Sequence, residues 1–128
     1  MTTNLTITDI RLYRMQYTVN PEAKIAIGQQ VPQTKITVQN DMQYRSFHDE
    51  KRQVFRTLLG THIYGQDCPY TIEVEVIGTF TLVAPVAEGE DEYLTGVTFP
   101  SILFPYLQQF VSDLLQKAGY PPFYLQPI

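Results

Sequence analysis

PSILFPYLQQFVSDLLQKAGYPPFYLQPI, residues 100–128, is the stretch whose reading decides the fold. From Leu103 the apolar residues recur at Leu107, Phe110, Leu114 and Ala118, and Phe104, Val111 and Leu115 widen the stripe. Spacing by three and four predicts an amphipathic helix. Ser101 reads as its N-cap, and Gly119 followed by Pro121 and Pro122 as its stop. Pro105 would break the hydrogen-bond ladder deeper inside, so the expected start is at Ile102 to Phe104. The polar side is narrow, carried by Gln108, Gln109, Ser112, Asp113, Gln116 and Lys117. A stripe this wide asks for two packing partners, the chain's own sheet and a second subunit; the simpler alternative is a core helix with one partner. Leu103, Leu107, Phe110, Val111 and Leu114 are the candidate subunit contacts.

Upstream of the helix the apolar period falls from three or four to two. Residues 4–19 read as a strand whose apolar face changes midway, from Leu5 and Ile7 to Ile10 and Leu12 and back to Tyr13, Met15, Tyr17 and Val19. Side chains alternate strictly along a strand, so the switch implies a bulge, burial on both faces, or an edge shared with a second subunit. Asn20-Pro21 ends it. Lys24 to Ile27 reads either as a short strand or, with Gly28 and Pro32, as a loop crossing the sheet. From Lys35 alternation resumes with Ile36, Val38, Met42 and Tyr44 on one face and Phe47 out of phase, up to a charged turn at residues 48–52.

Residues 53–64 carry apolar groups on both faces, Phe55, Leu59 and Ile63 against Val54, Leu58 and Tyr64, as a strand inside a sheet or under a partner would. Tyr70 to Val83 points Ile72, Val74, Val76, Phe80 and Leu82 one way and Glu73, Glu75, Thr79 and Thr81 toward water. Gly78 marks a bulge or the close approach of another backbone. Residues 84–99, acidic at Glu88, Glu90, Asp91 and Glu92, read as an exposed loop in which Tyr93 and Leu94 tuck inward. Four strands followed by one helix, with no β-α alternation, predict an α+β fold: a four-stranded antiparallel sheet with one long C-terminal helix on one face.

At 128 residues the chain is expected to form one domain spanning 1–128, long enough to bury about two thirds of its unfolded surface. The apolar share of 44% is ordinary, no run is long enough to span a membrane, and the opening MTTNLTITDI does not resemble a secretion signal. A cytoplasmic location is therefore expected. Cys68 is the single cysteine, which leaves no disulfide framework within one chain. A net charge of −4 without a basic stripe argues against nucleic acid as a partner. Nine Tyr and seven Phe with no Trp tilt the composition toward aromatics, and in a small domain some of those rings are expected to face outward.

Catalytic constellations are missing from the pattern. His48 sits in the charged turn, and His62 alternates along a strand. Glu73 and Glu75 share a face as a carboxylate pair would, but nothing apolar in the sequence raises their pKa, and they read as a solvated edge. Cys68, beside a proline, reads as incidental. No glycine-rich phosphate loop and no metal-ligand spacing occur, so neither an enzymatic activity nor a cofactor or metal is expected.

The start SILFPY, a mixed helix body, a glycine stop and a Pro…Leu-x-Pro exit resemble the helix of the SecB export-chaperone family. The residues that carry this are Ser101, Ile102, Leu103, Phe104, Pro105, Tyr106, Gly119, Pro122, Leu125 and Pro127. VEVIGTFTLV, residues 74–83, is similar to that family's fourth strand, and residues 10–13 (IRLY) resemble its first. The resemblance implies a cytoplasmic fold that pairs first strands and helices into dimers, packs dimers into tetramers through the helices, and holds unfolded polypeptide in apolar grooves before export. It also implies departures. The family's second helix and the tail that docks on the SecA motor have no counterpart before Ile128. Gln16 and Asn20 stand uncharged where acidic contacts to SecA are expected, while Glu73 keeps its acid.

The expected function is therefore chaperone-like binding of non-native polypeptide by a homodimer or homotetramer. Exposed aromatics and sheet edges can grip extended chains without reading sequence. Tyr13, Tyr17, Tyr44, Tyr93, Phe123 and Tyr124 are the candidate contacts, because they lie on mixed-face strands, on the connecting loop or in the proline-rich tail. The alternative is an oligomeric adaptor that keeps the fold but binds one specific partner, with the acidic stretch at residues 88–92 as its contact.

Overall fold

In a computed structural model, residues 5–20, 38–65, 68–120 and 125 are described. Four antiparallel strands, β1 (Leu5–Val19), β2 (Gln39–His48), β3 (Val54–Tyr64) and β4 (Tyr70–Leu82), form one sheet in the order β1-β4-β3-β2. Helix α1 (Phe99–Ala118) lies across one face. The expected short strand at residues 24–27 and the start of the second strand at Lys35 lie outside the described residues.

The face switch in β1 is resolved by two bulges. The register with β4 slips between Ile7 and Asp9 and again between Leu12 and Arg14, so Thr8 and Tyr13 are the extra residues. Each slip returns the apolar set to the same side. Leu5, Ile7, Ile10, Leu12, Met15, Tyr17 and Val19 then stand opposite Leu82, Phe80, Gly78, Val76, Val74, Ile72 and Tyr70, all on the helix-covered face. β3 is apolar on both sides because it lies inside the sheet, between β4 and β2. Its Phe55, Leu59 and Ile63 face the helix, and Leu58, paired with Ile77 and Arg45, is buried on the outer face.

The core is the layer between sheet and helix. Ile72, Val74, Val76, Phe80 and Leu82 of β4 are buried there as the alternation predicts, beneath Phe99, Leu103, Leu107, Val111 and Leu115. The Phe99 ring stacks on Phe80, with centroids 4.2 Å apart and planes 10° apart, and meets Phe55 at 5.6 Å. Gly78 is the close approach foreseen, although side chains make it rather than backbone. A Cβ there would sit 2.7 Å from Leu103 Cδ2 and 3.0 Å from Phe80 Cε2.

The helix begins earlier than the proline pattern implies. Phe99 is its first residue, Thr98 precedes it without a side-chain cap, and Ser101 lies inside the first turn. Pro100 occupies the early position that tolerates a missing N–H. Pro105 is therefore an interior proline, with its ring in solvent. A π-helical turn, Leu94–Thr98, leads into the helix, so the end of the expected loop at residues 84–99 is helical. Leu94 tucks inward as expected, but Tyr93 does not. The stop is as read: Gly119 adopts φ 88°, its N–H donates to Gln116 O at 3.1 Å, and the Tyr120 N–H donates to Leu115 O at 2.9 Å. Two such bonds around a left-handed glycine form a Schellman closure.

Candidate functional site

The helix rests mainly on β4 and β3 and reaches β1 only sparsely. The apolar side of β1 therefore extends past the helix as an open ledge. Ile7, Leu12, Met15 and Val19 are exposed along it, Val19 by 54%. On the helix, Phe104, Phe110 and Leu114 flank the buried row and are themselves half-buried. Leu103, Leu107 and Val111 are fully buried within this one chain. Those three expected subunit contacts are spent on the chain's own core, and of the predicted set only Phe110 and Leu114 keep partial exposure. The four-residue spacing from Phe99 to Leu115 follows the contact row on the sheet, while Phe110 and Leu114 stand off it.

A second apolar surface lies at the other edge of the sheet. Tyr44 of β2 pairs with the core residue Leu59, so its ring rises on the helix side, 47% exposed. Its hydroxyl reaches Gly96 of the π-helical turn, 3.5 Å from where a Cβ would stand. Tyr93 and Val97, on the same turn, are 69% and 45% exposed. β2 is an edge strand among the described residues, so unpaired backbone groups border these side chains.

The remaining predicted contacts are scattered. Tyr13, as a bulge residue, lines a hollow of about 440 Å³ on the outer face of the sheet with Arg14, Gln43, Arg45, Leu58 and Glu75. Tyr17 is half-buried on the helix side, where burial and a hydrogen bond to Tyr120 push its hydroxyl up to about 12. Tyr70 joins this group, its ring 4.8 Å from that of Tyr120, and burial raises its pKa as well. Tyr17 is thus engaged with Tyr120 at the end of the helix rather than offering a free ring. Phe123 and Tyr124 lie outside the described residues. Sequence reasoning missed the ledge residues Ile7, Leu12, Met15 and Val19 as site residues. Their signal was the apolar phase of β1 carried across its two slips, which becomes visible once the helix is seen to stop short of that strand.

On the outer face the expected solvated carboxylate pair is not solvated throughout. Glu75 is 7% exposed, because β4 is an interior strand and not an edge. Arg14 Nε donates to Glu75 Oε1 and Arg14 Nη1 to Glu73 Oε2, each at 3.0 Å. Gly60 makes this possible, since a Cβ there would meet Glu75 Cγ at 2.8 Å. Glu73 also lies 3.8 Å from His62, which stacks on Tyr64 along β3. Cys68 is buried, and desolvation raises its thiol pKa. Among the described residues no group of His, Cys, Asp and Glu could hold a metal ion, and no helix is long and apolar enough to cross a membrane.

This arrangement has known counterparts. The model of the family described as preprotein translocase subunit SecB matches residues 5–128. The protein-export protein SecB of Stenotrophomonas maltophilia is 35% identical over 109 residues, covering 85% of this chain and 62% of the relative. That of Rhodospirillum centenum is 29% identical over 109 residues, covering 85% and 65%. The chain thus spans less than two thirds of the length of these curated relatives. Among solved structures, a SecB-like chaperone of Mycobacterium tuberculosis, in complex with a ChAD peptide from the HigA1 antitoxin, superposes with a TM-score of 0.70 at 24% identity. The match covers 97% of this chain and 87% of that one, and shows the same fold. With a family model matched from the first strand through the helix and beyond, the chain belongs to the SecB family.

Proposed function

We propose that this chain is a cytoplasmic chaperone of the SecB type, which assembles with copies of itself and holds non-native polypeptide on its apolar surfaces. The observation that carries the reading is the number of large apolar side chains left in solvent. Ile7, Leu12, Met15 and Val19 line one edge of the helix side, and Tyr44, Tyr93 and Val97 line the other. Exposed apolar groups grouped in this way mark binding surfaces in soluble proteins.

The two surfaces divide the work. The β1 ledge, with Phe110 and Leu114 beside it, is long and nearly all aliphatic, and takes a second copy in an isologous contact. The Tyr44–Tyr93–Val97 surface borders the β2 edge and takes an extended segment, whose backbone pairs with the strand while its side chains meet the rings. The Mycobacterium tuberculosis relative is in complex with a peptide, which supports polypeptide binding on this fold. Gln16 is uncharged and Glu73 is already engaged by Arg14, which argues against docking on an export motor through these residues.

The test is the affinity for a fluorescent, permanently unfolded polypeptide. A Tyr44→Ala/Tyr93→Ala chain should keep its circular dichroism and bind about tenfold more weakly, as loss of two aromatic anchors implies. Equal affinity in the folded variant would remove the surface from the account.

A further inference from the structure

The outer face of the sheet, which the polypeptide-holding reading does not use, has an ordered charge pattern. Reading the registers across β1, β4, β3 and β2 gives one row of Arg11, Ile77, Leu58 and Arg45, and a neighbouring row of Asp9, Thr79, Arg56 and Phe47. An apolar centre is thus bracketed by arginines from both edge strands. Leu58 is buried and Ile77 half-buried beneath it, while Phe47 is 55% exposed with the Arg45 guanidinium 6.0 Å from its ring centroid. The chain carries a net charge of −4, yet these two rows hold three arginines against one aspartate.

Two of the three cations are weakly committed. Arg45 approaches Glu75 Oε2 only at 3.7 Å, the one shorter bond of that carboxylate running from Arg14 to its other oxygen. Arg56 is exposed and enters no ion pair among the described residues. Arg11 pairs with Asp9 but keeps its side chain 70% exposed. The face therefore keeps exposed positive charge around an apolar floor, with Arg56 outside any ion pair among the described residues and Arg11 and Arg45 each held by a single carboxylate.

We propose that this face docks an acidic segment of another protein, in extended form, with an apolar residue between two carboxylates. The spacing sets the pattern. Arg11 and Arg45 stand three strand intervals apart, about 14 Å, and an extended chain covers about that distance in four residues. Residues i and i+4 then reach the two arginines while i+2, on the same side, settles on Leu58 and Ile77. Arg56 and Phe47 take the flanking position. The chain's own acidic loop is a poorer occupant, because Arg52 already pairs with its Asp91 at 3.1 Å and with Glu88 at 3.9 Å. Head-to-tail pairing of identical copies through that loop would also tend to propagate rather than close.

The experiment uses the full chain and a fluorescein-labelled peptide built on Glu-Ser-Phe-Ser-Glu, with Gln-Ser-Phe-Ser-Gln as control, followed by anisotropy. The acidic peptide should bind about tenfold more tightly than the control, and the difference should shrink as salt is raised. Arg45→Glu and Arg56→Glu, each at an exposed position, should each weaken the acidic peptide about tenfold without altering the affinity for unfolded polypeptide. Equal binding of the two peptides overturns the proposal, as does unchanged binding in both variants. Competition between the acidic peptide and unfolded polypeptide would overturn it by placing both on one face. Self-association of the wild-type chain that both variants abolish would assign the face to a second copy and overturn it equally.

Discussion

Replacing Leu12 and Met15 with aspartate should leave a folded chain that no longer assembles, its self-association weakened by about a thousandfold or more. Both residues lie on the helix side of β1, opposite Val76 and Val74, and each is 37% exposed in the single chain. An aspartate at either place can hydrate while the chain is alone. In an isologous contact the two changes bring four carboxylates into an apolar seam, where each unpaired charge costs several kcal/mol in effective terms. Sedimentation equilibrium of wild type and variant reads the difference, and circular dichroism shows that the fold survives. An unchanged assembly would mean that copies meet elsewhere.

Phe99→Ala should be the most damaging single truncation, lowering the free energy of unfolding by about 3–5 kcal/mol. The ring is fully buried, stacked on Phe80 and leaning on Phe55, and it joins the first turn of α1 to β3 and β4 together. Removing it opens a cavity that neither the stacked ring nor the helix start can fill without shifting. Tyr106→Ala, 48% exposed on the same helix, is the control and should cost under about 0.5 kcal/mol. Urea unfolding of the three proteins distinguishes the cases. Similar losses at both positions would mean that the helix is held by something other than this aromatic contact.

Much of the fold was legible because β4 and α1 write their burial directly into their period. Ile72, Val74, Val76, Phe80 and Leu82 are all buried on one face, and Gly119 ends the helix where its lack of a Cβ allows the left-handed turn. Strand order was not legible. Nothing local tells Glu75 that it will lie between Arg14 and Arg45 on an interior strand, so a carboxylate read as solvated is nearly buried. The helix start was misjudged because an interior proline is normally costly, whereas here Pro105 faces solvent and Pro100 supplies the early proline.

For the candidate site, aromatic content implied rings facing outward, as Tyr44 and Tyr93 do, whereas Tyr17 is engaged with Tyr120. Leu103, Leu107 and Val111 share one stripe with Phe110 and Leu114 in the sequence, and only the side that the helix turns to its sheet separates core from flank. The aliphatic ledge escaped notice because each of its residues looks like ordinary core until the width of the helix is set against that of the sheet. Four strands offer more apolar face than one helix covers.

The central claim, that the folded chain keeps apolar surface open for loose polypeptide, is tested most directly by light scattering of a denatured protein diluted into buffer with and without this chain. The account predicts that aggregation is suppressed near equimolar ratio. Undiminished aggregation in several-fold excess of a chain shown to be folded would contradict it.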